Sequence, residues 1–265
     1  MDGEGWWNMS NWFVEKEKEE LTFGYAFNKQ LYQGKSDYQE IKVIDTKAYG
    51  KMLVIDDFVM LTETDEFVYH EMISHIPICY HRGPESVLVI GGGDGGTVRE
   101  ILKHQDIKRI VLCEIDRLVV DVSKKYFPNL ASSLSHPKVE VKIADGIQYI
   151  SQCVEEFDII IVDSTDPIGP GESLFTKEFY QSVSRALKPE GHMVLQSESP
   201  WYDKEILSKI YRNVAGAFPV LKPYVGSVAT YPRGLWSWTM ASQKETNFQQ
   251  CSLDRFMIIK DSLKY

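Results

Sequence analysis

The chain has 265 residues, a formal net charge of −9 and 43% hydrophobic residues, which is enough for a sizeable core and one or two domains. An acidic chain without a basic run is a poor partner for nucleic acid or an anionic membrane, and no apolar window of about 18 residues predicts a membrane span. The acidic N-terminus does not resemble a signal peptide, and four scattered cysteines without a CxxC pair favour free thiols in a cytoplasmic protein.

The first part of the chain predicts β structure. Residues 38–45 alternate polar and apolar side chains, and residues 51–61 predict a hairpin that turns at Asp56 and Asp57. The apolar spacing then becomes helical, and we expect this helix to end before Pro77. These changes predict two domains, a β-strand and hairpin domain over residues 1–64 and a larger domain over residues 65–265.

From residue 87 onward, the pattern alternates between strand and helix. The helix that begins near Asp116 is expected to bury Leu118, Val122 and Tyr126 and to end at Pro128. Such alternation predicts an α/β fold, with a Rossmann-like, doubly wound and mostly parallel sheet. Predicted strands lie at 87–90, 110–114, 139–143, 157–162 and 192–196, and further helices start near 97 and lie near 176–188 and 203–218.

The first strand of this domain ends in the turn Gly-Gly-Gly-Asp-Gly-Gly, residues 91–96. Glycines allow a tight turn and a close approach of the backbone to a ligand. Asp94 in the middle of the turn repels phosphate and favours a cation. Glu114 follows Gly91 by roughly 20 residues, where an acidic side chain binds ribose hydroxyls. The pattern therefore favours a positively charged nucleoside, such as a sulfonium of the S-adenosylmethionine type, over a dinucleotide.

Acidic residues follow four of the predicted strands. Any one of them could be a helix cap or a turn residue. Because ligands of open α/β sheets bind at the carboxyl ends of the strands, the set predicts one cleft that binds cations. A loop with two prolines and two glycines, residues 163–175, is either a connector or a mobile cover, and its charge favours a cover. The acidic residues are Asp94, Glu114, Asp145 and Asp163, with Asp166 close behind.

Three motifs together resemble the polyamine aminopropyltransferases. They are the glycine turn at 91–96, Asp163-Ser164-Thr165-Asp166-Pro167, and the run Asp-Glu-Phe-Val-Tyr-His-Glu-Met at 65–72, and the resemblance extends over about residues 12–242. It implies transfer of an aminopropyl group from decarboxylated S-adenosylmethionine to an amine, usually putrescine, which gives spermidine and methylthioadenosine. It also implies a homodimer or homotetramer, with no metal and no other cofactor because the sulfonium donor is already electrophilic.

The same resemblance implies roles for individual residues. Asp163 would be the general base, and the hydroxyl of Tyr69 would orient the attacking amine. Asp94 would bind the donor's ammonium and repel the carboxylate of intact S-adenosylmethionine, whereas His70 would be a neutral contact. The implied donor site consists of Gln39, His70, Gly91, Asp94, Glu114, Asp145, Gly146 and Pro170, and the implied acceptor site of Asp94, Asp163, Asp166, Gln196 and Tyr231.

Two other classes remain open at the level of sequence. A methyltransferase would share the fold and the Glu114 contact, but it needs a cation for the methionine carboxylate, and Asp94 has the wrong sign. A non-catalytic polyamine-binding protein would require the loss of a catalytic residue, whereas Asp163, Tyr69 and Asp166 are all present. The choice of acceptor among putrescine, cadaverine, agmatine and spermidine is not readable from one chain.

Overall fold

The computed structural model describes residues 11–18, 21–167, 169–231, 234–245 and 253–265. The chain forms two compact units, one that ends at Asp65 and one that begins at Glu66. Each unit has its own sheet and its own apolar core. Among the helices of these described ranges, none is long and apolar enough to cross a membrane.

The N-terminal unit contains an antiparallel sheet in which neighbouring strands follow one another in sequence. The predicted hairpin is confirmed, and both Asp56 and Asp57 have positive φ angles, 48° and 68°, at its turn. Phe13, Tyr25 and Met52 belong to the small core of this sheet. In the described part of the unit, the strands are β1 (Trp12–Lys18), β2 (Leu21–Lys35), β3 (Glu40–Thr46), β4 (Lys51–Ile55) and β5 (Phe58–Thr62).

The C-terminal unit contains a larger sheet, with the strand order β11-β12-β10-β9-β6-β7-β8 in the ranges the structure describes. The pairs from β10 to β8 are parallel, which confirms the predicted Rossmann-like sheet, whereas β12 is antiparallel to both of its neighbours. The strands are β6 (Ser86–Gly91), β7 (Arg109–Glu114), β8 (Val139–Ile143), β9 (Phe157–Asp163), β10 (Leu187–Gln196), β11 (Val220–Gly226) and β12 (Trp236–Ser242). The helices are α1 (Glu66–Tyr80), α2 (Gly96–Ile101), α3 (Arg117–Tyr126), α4 (Pro128–Ala131), α5 (Gly146–Ser151), α6 (Lys177–Ala186), α7 (Lys204–Ala215) and α8 (Leu253–Ile259).

The central strands are covered on both faces. Leu88 and Ile90 of β6 belong to one apolar cluster, and Val87 and Val89 belong to another, as the alternation of side chains along a strand requires. Full burial of one such side chain stabilises the fold by roughly 1.5–3 kcal/mol. The middle of the sheet is therefore closed to ligands, and its carboxyl edge is where polar groups can gather.

Strands β6 and β9 are neighbours at the point where the chain changes direction across the sheet. Their register places Gly91 opposite Asp163, and β7 on the other side of β6 ends at Glu114. Crevices at such a switch point are the usual binding sites of open α/β sheets. The topology thus brings the acidic strand ends to one edge.

Two local predictions were wrong. Helix α1 continues through Pro77 to Tyr80, because buried packing around Pro77 offsets a missing helical hydrogen bond that costs about 3 kcal/mol. Helix α3 begins after its cap Asp116 as expected, but Leu118 and Tyr126 are only partly buried. The apolar residues of this helix are compatible with two overlapping faces. The face that is buried is formed by Val119, Val120, Val122 and Ser123.

Candidate active site

The glycine turn holds Asp94 between β6 and α2. The backbone N–H of Gly96 donates to Oδ1 of Asp94 at 2.7 Å, and Nε2 of His70 lies 3.2 Å from the same oxygen. Gly91 has a φ of 82°, and a Cβ atom there would lie 2.1 Å from the carbonyl oxygen of Asp163. Only glycine fits this position, so the turn passes close to the end of β9.

His70 lies in a buried ion-pair network on helix α1. Its Nδ1 lies 2.6 Å from Oε2 of Glu66, and its Nε2 faces Asp94. Burial lowers the pKa of His70, but the charges and hydrogen bonds of Asp94 and Glu66 outweigh it and raise the pKa to about 10. His70 is therefore an imidazolium at neutral pH, and the prediction of a neutral contact was wrong because the sequence hides both carboxylate partners.

Asp163 accepts a hydrogen bond at each carboxylate oxygen. The hydroxyl of Tyr69 donates to Oδ1 at 2.8 Å, and the hydroxyl of Thr97 donates to Oδ2 at 2.6 Å. Burial and the charge of Asp94 raise the pKa of Asp163, while His70 and the two hydroxyls oppose that rise. Burial, followed by the charge of Asp163, raises the pKa of Tyr69 well above 10, so Tyr69 remains a donor. Asp163 is thus oriented and can accept a proton.

Glu114 and Asp145 occupy the ends of the next two strands along the edge. Oε2 of Glu114 accepts from the N–H of Gly93 at 3.2 Å, and Oε1 accepts from the N–H of Asp116 at 2.9 Å. Burial raises the pKa of Glu114 to about 7. Asp145 caps helix α5, which begins at Gly146, by accepting from the N–H of Ile147 at 2.8 Å. Asp145 therefore has the structural role of a helix cap, whether or not it also contacts a ligand.

A second acidic pair lies beyond the end of β10. The carboxyl groups of Asp166 and Glu198 interact with each other, and Gln196 donates from Nε2 to Oε1 of Glu198 at 3.1 Å. Burial raises the pKa of Asp166 to about 6, and burial with the charge of Asp166 raises that of Glu198 well above 4.5. Sequence reasoning missed Glu198, which is 3% exposed and has a φ of 66°. Gln196 makes its described contacts to Glu198, so it positions that carboxyl group.

The ring of Tyr231 lies beside two other aromatic rings. The ring of Tyr231 lies 5.8 Å from that of Tyr69 and 4.7 Å from that of Trp236.

Thr97 was also missed by sequence reasoning, although its place in the first turn of the helix after the glycine turn is a usable signal. Of the other predicted site residues, Gln39 belongs to the N-terminal unit, and Pro170 lies in the 3₁₀ helix Gly169–Phe175, with its side chain outside the described ones.

In the C-terminal unit, the structure thus brings the predicted residues His70, Asp94, Asp163 and Tyr69 together. Nitrogen and carboxylate oxygen atoms of His70, Asp94 and Asp163 lie within 4.8 Å of one another. Tyr69 is hydrogen-bonded to this cluster through Asp163. Chemically, such a site can bind an ammonium group beside a carboxylate that accepts a proton, and further carboxyl groups at neighbouring strand ends can accept hydrogen bonds from hydroxyls or pair with a second ammonium.

Comparisons with known proteins agree with this geometry. Residues 66–250 match the family model described as the spermine/spermidine synthase domain, and residues 11–63 match the spermidine synthase tetramerisation domain. A polyamine aminopropyltransferase of Bacillus cytotoxicus is 44% identical over 94% of this chain and 90% of its own. One from Caldicellulosiruptor saccharolyticus is 46% identical over 89% of this chain and 85% of its own.

Solved structures show the same similarity. A spermidine synthase in complex with the transition state analogue AdoDATO has a TM-score of 0.94 and 38% identity, over 97% of this chain and 88% of that one. The spermidine synthase of Thermotoga maritima has a TM-score of 0.91 and 38% identity, over 96% of this chain and 87% of that one.

Proposed function

Because the chain belongs to the spermine/spermidine synthase family of aminopropyltransferases, we propose that it transfers the aminopropyl group of decarboxylated S-adenosylmethionine to putrescine. The products are spermidine and methylthioadenosine. One observation carries the proposal, namely the carboxylate of Asp163, which is held between the hydroxyls of Tyr69 and Thr97 beside a second carboxylate, Asp94. The enzyme acts in the cytoplasm. It is a homo-oligomer, as the match to a tetramerisation domain supports.

The donor binds at the carboxyl ends of β6, β7 and β8. Asp94 pairs with the ammonium of the aminopropyl arm through Oδ2, since its described hydrogen bond and its ion pair with His70 both involve Oδ1. Glu114 accepts hydrogen bonds from the ribose hydroxyls, and Asp145 and Gly146 face the adenine. Gly91 and Pro170 complete the donor site within the C-terminal unit, and His70 supports it through its ion pair with Asp94.

The reaction is an in-line displacement. An acceptor ammonium first loses a proton to Asp163, because a protonated amine has no lone pair for attack. The neutral nitrogen then forms a bond to the donor carbon while the carbon–sulfur bond breaks, and the sulfur leaves as a neutral thioether. Positioning by Tyr69 and Asp94 supplies much of the rate, and the sulfonium makes a metal or another cofactor unnecessary.

The acceptor's second ammonium binds near Asp166 and Glu198. Burial and the interaction between these two carboxyl groups make it unfavourable to ionise both until a cation arrives. A diamine with a charge at its far end provides that cation, whereas a simple monoamine does not. Tyr231 lies near the reacting end, beside Tyr69.

One assay separates this function from its alternatives. Purified protein is incubated with putrescine and either decarboxylated or intact S-adenosylmethionine, and the adenosine products are quantified. Methylthioadenosine from the decarboxylated donor alone supports the proposal. S-adenosylhomocysteine from the intact donor would indicate a methyltransferase, and binding without product would indicate a polyamine-binding protein. Cadaverine, agmatine and spermidine at fixed donor concentration then test acceptor choice.

A further inference from the structure

The proposed reaction requires two partly buried carboxylates to be ionised at the same time. Asp94 must be charged to bind the donor ammonium, and Asp163 must be charged to accept a proton. Their oxygens lie within the 4.8 Å cluster, and burial together with the charge of Asp94 raises the pKa of Asp163. Two such carboxylates share one proton unless a cation compensates them.

We infer that His70, held as an imidazolium by Glu66 and Arg99, is a built-in cation that keeps Asp94 and Asp163 ionised before the substrates bind. The inference rests on the proposed function for the roles of the two carboxylates. Nε2 of His70 lies 3.2 Å from Asp94, and the imidazolium charge also favours the ionised form of Asp163. His70 is therefore a positioning residue that acts through two other side chains.

The ring of His70 packs against the backbone of Gly96, which fixes its position. A Cβ atom at Gly96 would lie 2.2–2.5 Å from three atoms of the imidazole, so the ring packs directly on the glycine backbone. The same glycine donates its N–H to Asp94. One residue of the turn thus sets the positions of both the cation and its carboxylate partner.

The second ring nitrogen of His70 is held by an ion pair. Nη1 and Nη2 of Arg99 donate to the two carboxylate oxygens of Glu66 at 2.8 and 2.9 Å, and Nδ1 of His70 lies 2.6 Å from Oε2. Burial raises the pKa of Glu66, but His70 and Arg99 outweigh it and lower the pKa to about 2. Glu66 therefore remains charged and oriented, and it holds the proton on His70.

The charged and titratable groups around His70 come from every element packed against it. Glu66 and Tyr69 belong to α1, Asp94 to the glycine turn, Asp163 to β9, and Arg99 of α2 acts through Glu66. Most of these neighbours are anionic, and none of the described contacts places a hydrogen-bond donor on a ring nitrogen of His70, which would favour the neutral ring. The surroundings therefore favour the imidazolium.

The first test is the acid limb of kcat/KM for methylthioadenosine formation in the variant His70→Gln. Glutamine can still donate to Asp94 but carries no charge, so the limb should move to higher pH by about 1–3 units. His75→Gln is the matched control, since His75 is also buried on α1 but contacts Glu100 and His104. An unchanged limb in His70→Gln, or an equal shift in the control, would overturn the inference.

The second test does not depend on turnover or on that variant. In ¹⁵N-histidine NMR of the ligand-free wild type, His70 should remain doubly protonated at pH 8, and in Glu66→Gln its midpoint should fall by about 1–3 units. A neutral His70 at pH 7 in the wild type, or no fall in Glu66→Gln, contradicts the inference. If wild-type protein forms no methylthioadenosine, the proposed function fails instead, and that result is read before any variant is compared.

Discussion

Replacement of Asp94 by asparagine tests whether this residue recognises the charge of the donor. The substitution keeps the size of the side chain and an oxygen for the N–H of Gly96, so the glycine turn should be retained. What is lost is the negative charge, which the structure places in a side chain only 15% exposed. Solvent therefore screens the lost interaction only in part.

The magnitude follows from the strength of a charge-assisted hydrogen bond. Such a bond contributes about 1.5–3 kcal/mol, which corresponds to roughly 10- to 150-fold in affinity. Decarboxylated S-adenosylmethionine should bind Asp94→Asn more weakly by about that factor. Methylthioadenosine lacks the aminopropyl arm, so its affinity should stay within about threefold, a difference of less than 1 kcal/mol.

Isothermal titration of wild type and variant with decarboxylated S-adenosylmethionine, intact S-adenosylmethionine and methylthioadenosine measures these three affinities. The intact donor should lose less affinity than the decarboxylated one, or gain some, because its carboxylate no longer meets Asp94. Equal weakening of all three ligands would mean that Asp94 shapes the turn and does not recognise charge. That result would refute the inference that the negative charge of Asp94 recognises the donor's ammonium.

Four further outcomes are expected. Asp163→Asn should lower turnover by about 10²–10⁴ with donor binding retained, since it removes the proposed general base; near-normal turnover would exclude that role. Thr97→Val should raise the apparent pKa of the acid limb of kcat/KM by about 1–2 units, because loss of a hydrogen bond to a carboxylate costs about 1.5–3 kcal/mol. Thr97→Ser, which keeps the hydroxyl, is the control. An unchanged acid limb in Thr97→Val would contradict the reasoning. Because burial raises the pKa of Glu114 to about 7, ribose binding should release protons near pH 7, and titrations in two buffers should show this release in wild type but not in Glu114→Gln. Glu198→Gln should raise KM for putrescine about tenfold and leave KM for the donor unchanged, by loss of one counter-charge beside Asp166; a change in the donor KM alone would place the pair elsewhere.

The fold was readable where hydrophobic patterns were continuous. Residues 157–162 are apolar except for Asp158, and they form a central strand, as a sheet covered on both faces requires. The antiparallel strands β11 and β12 were not predicted. Pro223 and Lys222 interrupt the apolar pattern of β11, and its edge position tolerates them.

The positions of the acidic strand ends were readable for the same reason. Once strands are assigned, the rule that ligands bind at their carboxyl ends places Asp94, Glu114 and Asp163 at one edge. The contacts of these side chains were not readable, because they depend on residues distant in the chain. Thr97 reaches Asp163 only through the turn of α2 onto β9, and Glu198 reaches Asp166 only through an unusual positive φ angle.

The charge of His70 changes what Asp94 can do. From the sequence, Asp94 is a lone carboxylate that attracts an ammonium and repels the carboxylate of intact S-adenosylmethionine. In the structure, an imidazolium nitrogen lies 3.2 Å from Oδ1, so any ligand carboxylate that reaches Asp94 also meets a positive charge. Repulsion of the intact donor must therefore be weaker than a lone carboxylate would give. Because both donors carry an ammonium on the same carbon, the contact with Oδ2 favours both of them. Discrimination therefore depends on the remaining repulsion of the carboxylate by Asp94, and it should increase as pH rises past the pKa of His70, about 10, where the compensating imidazolium charge is lost.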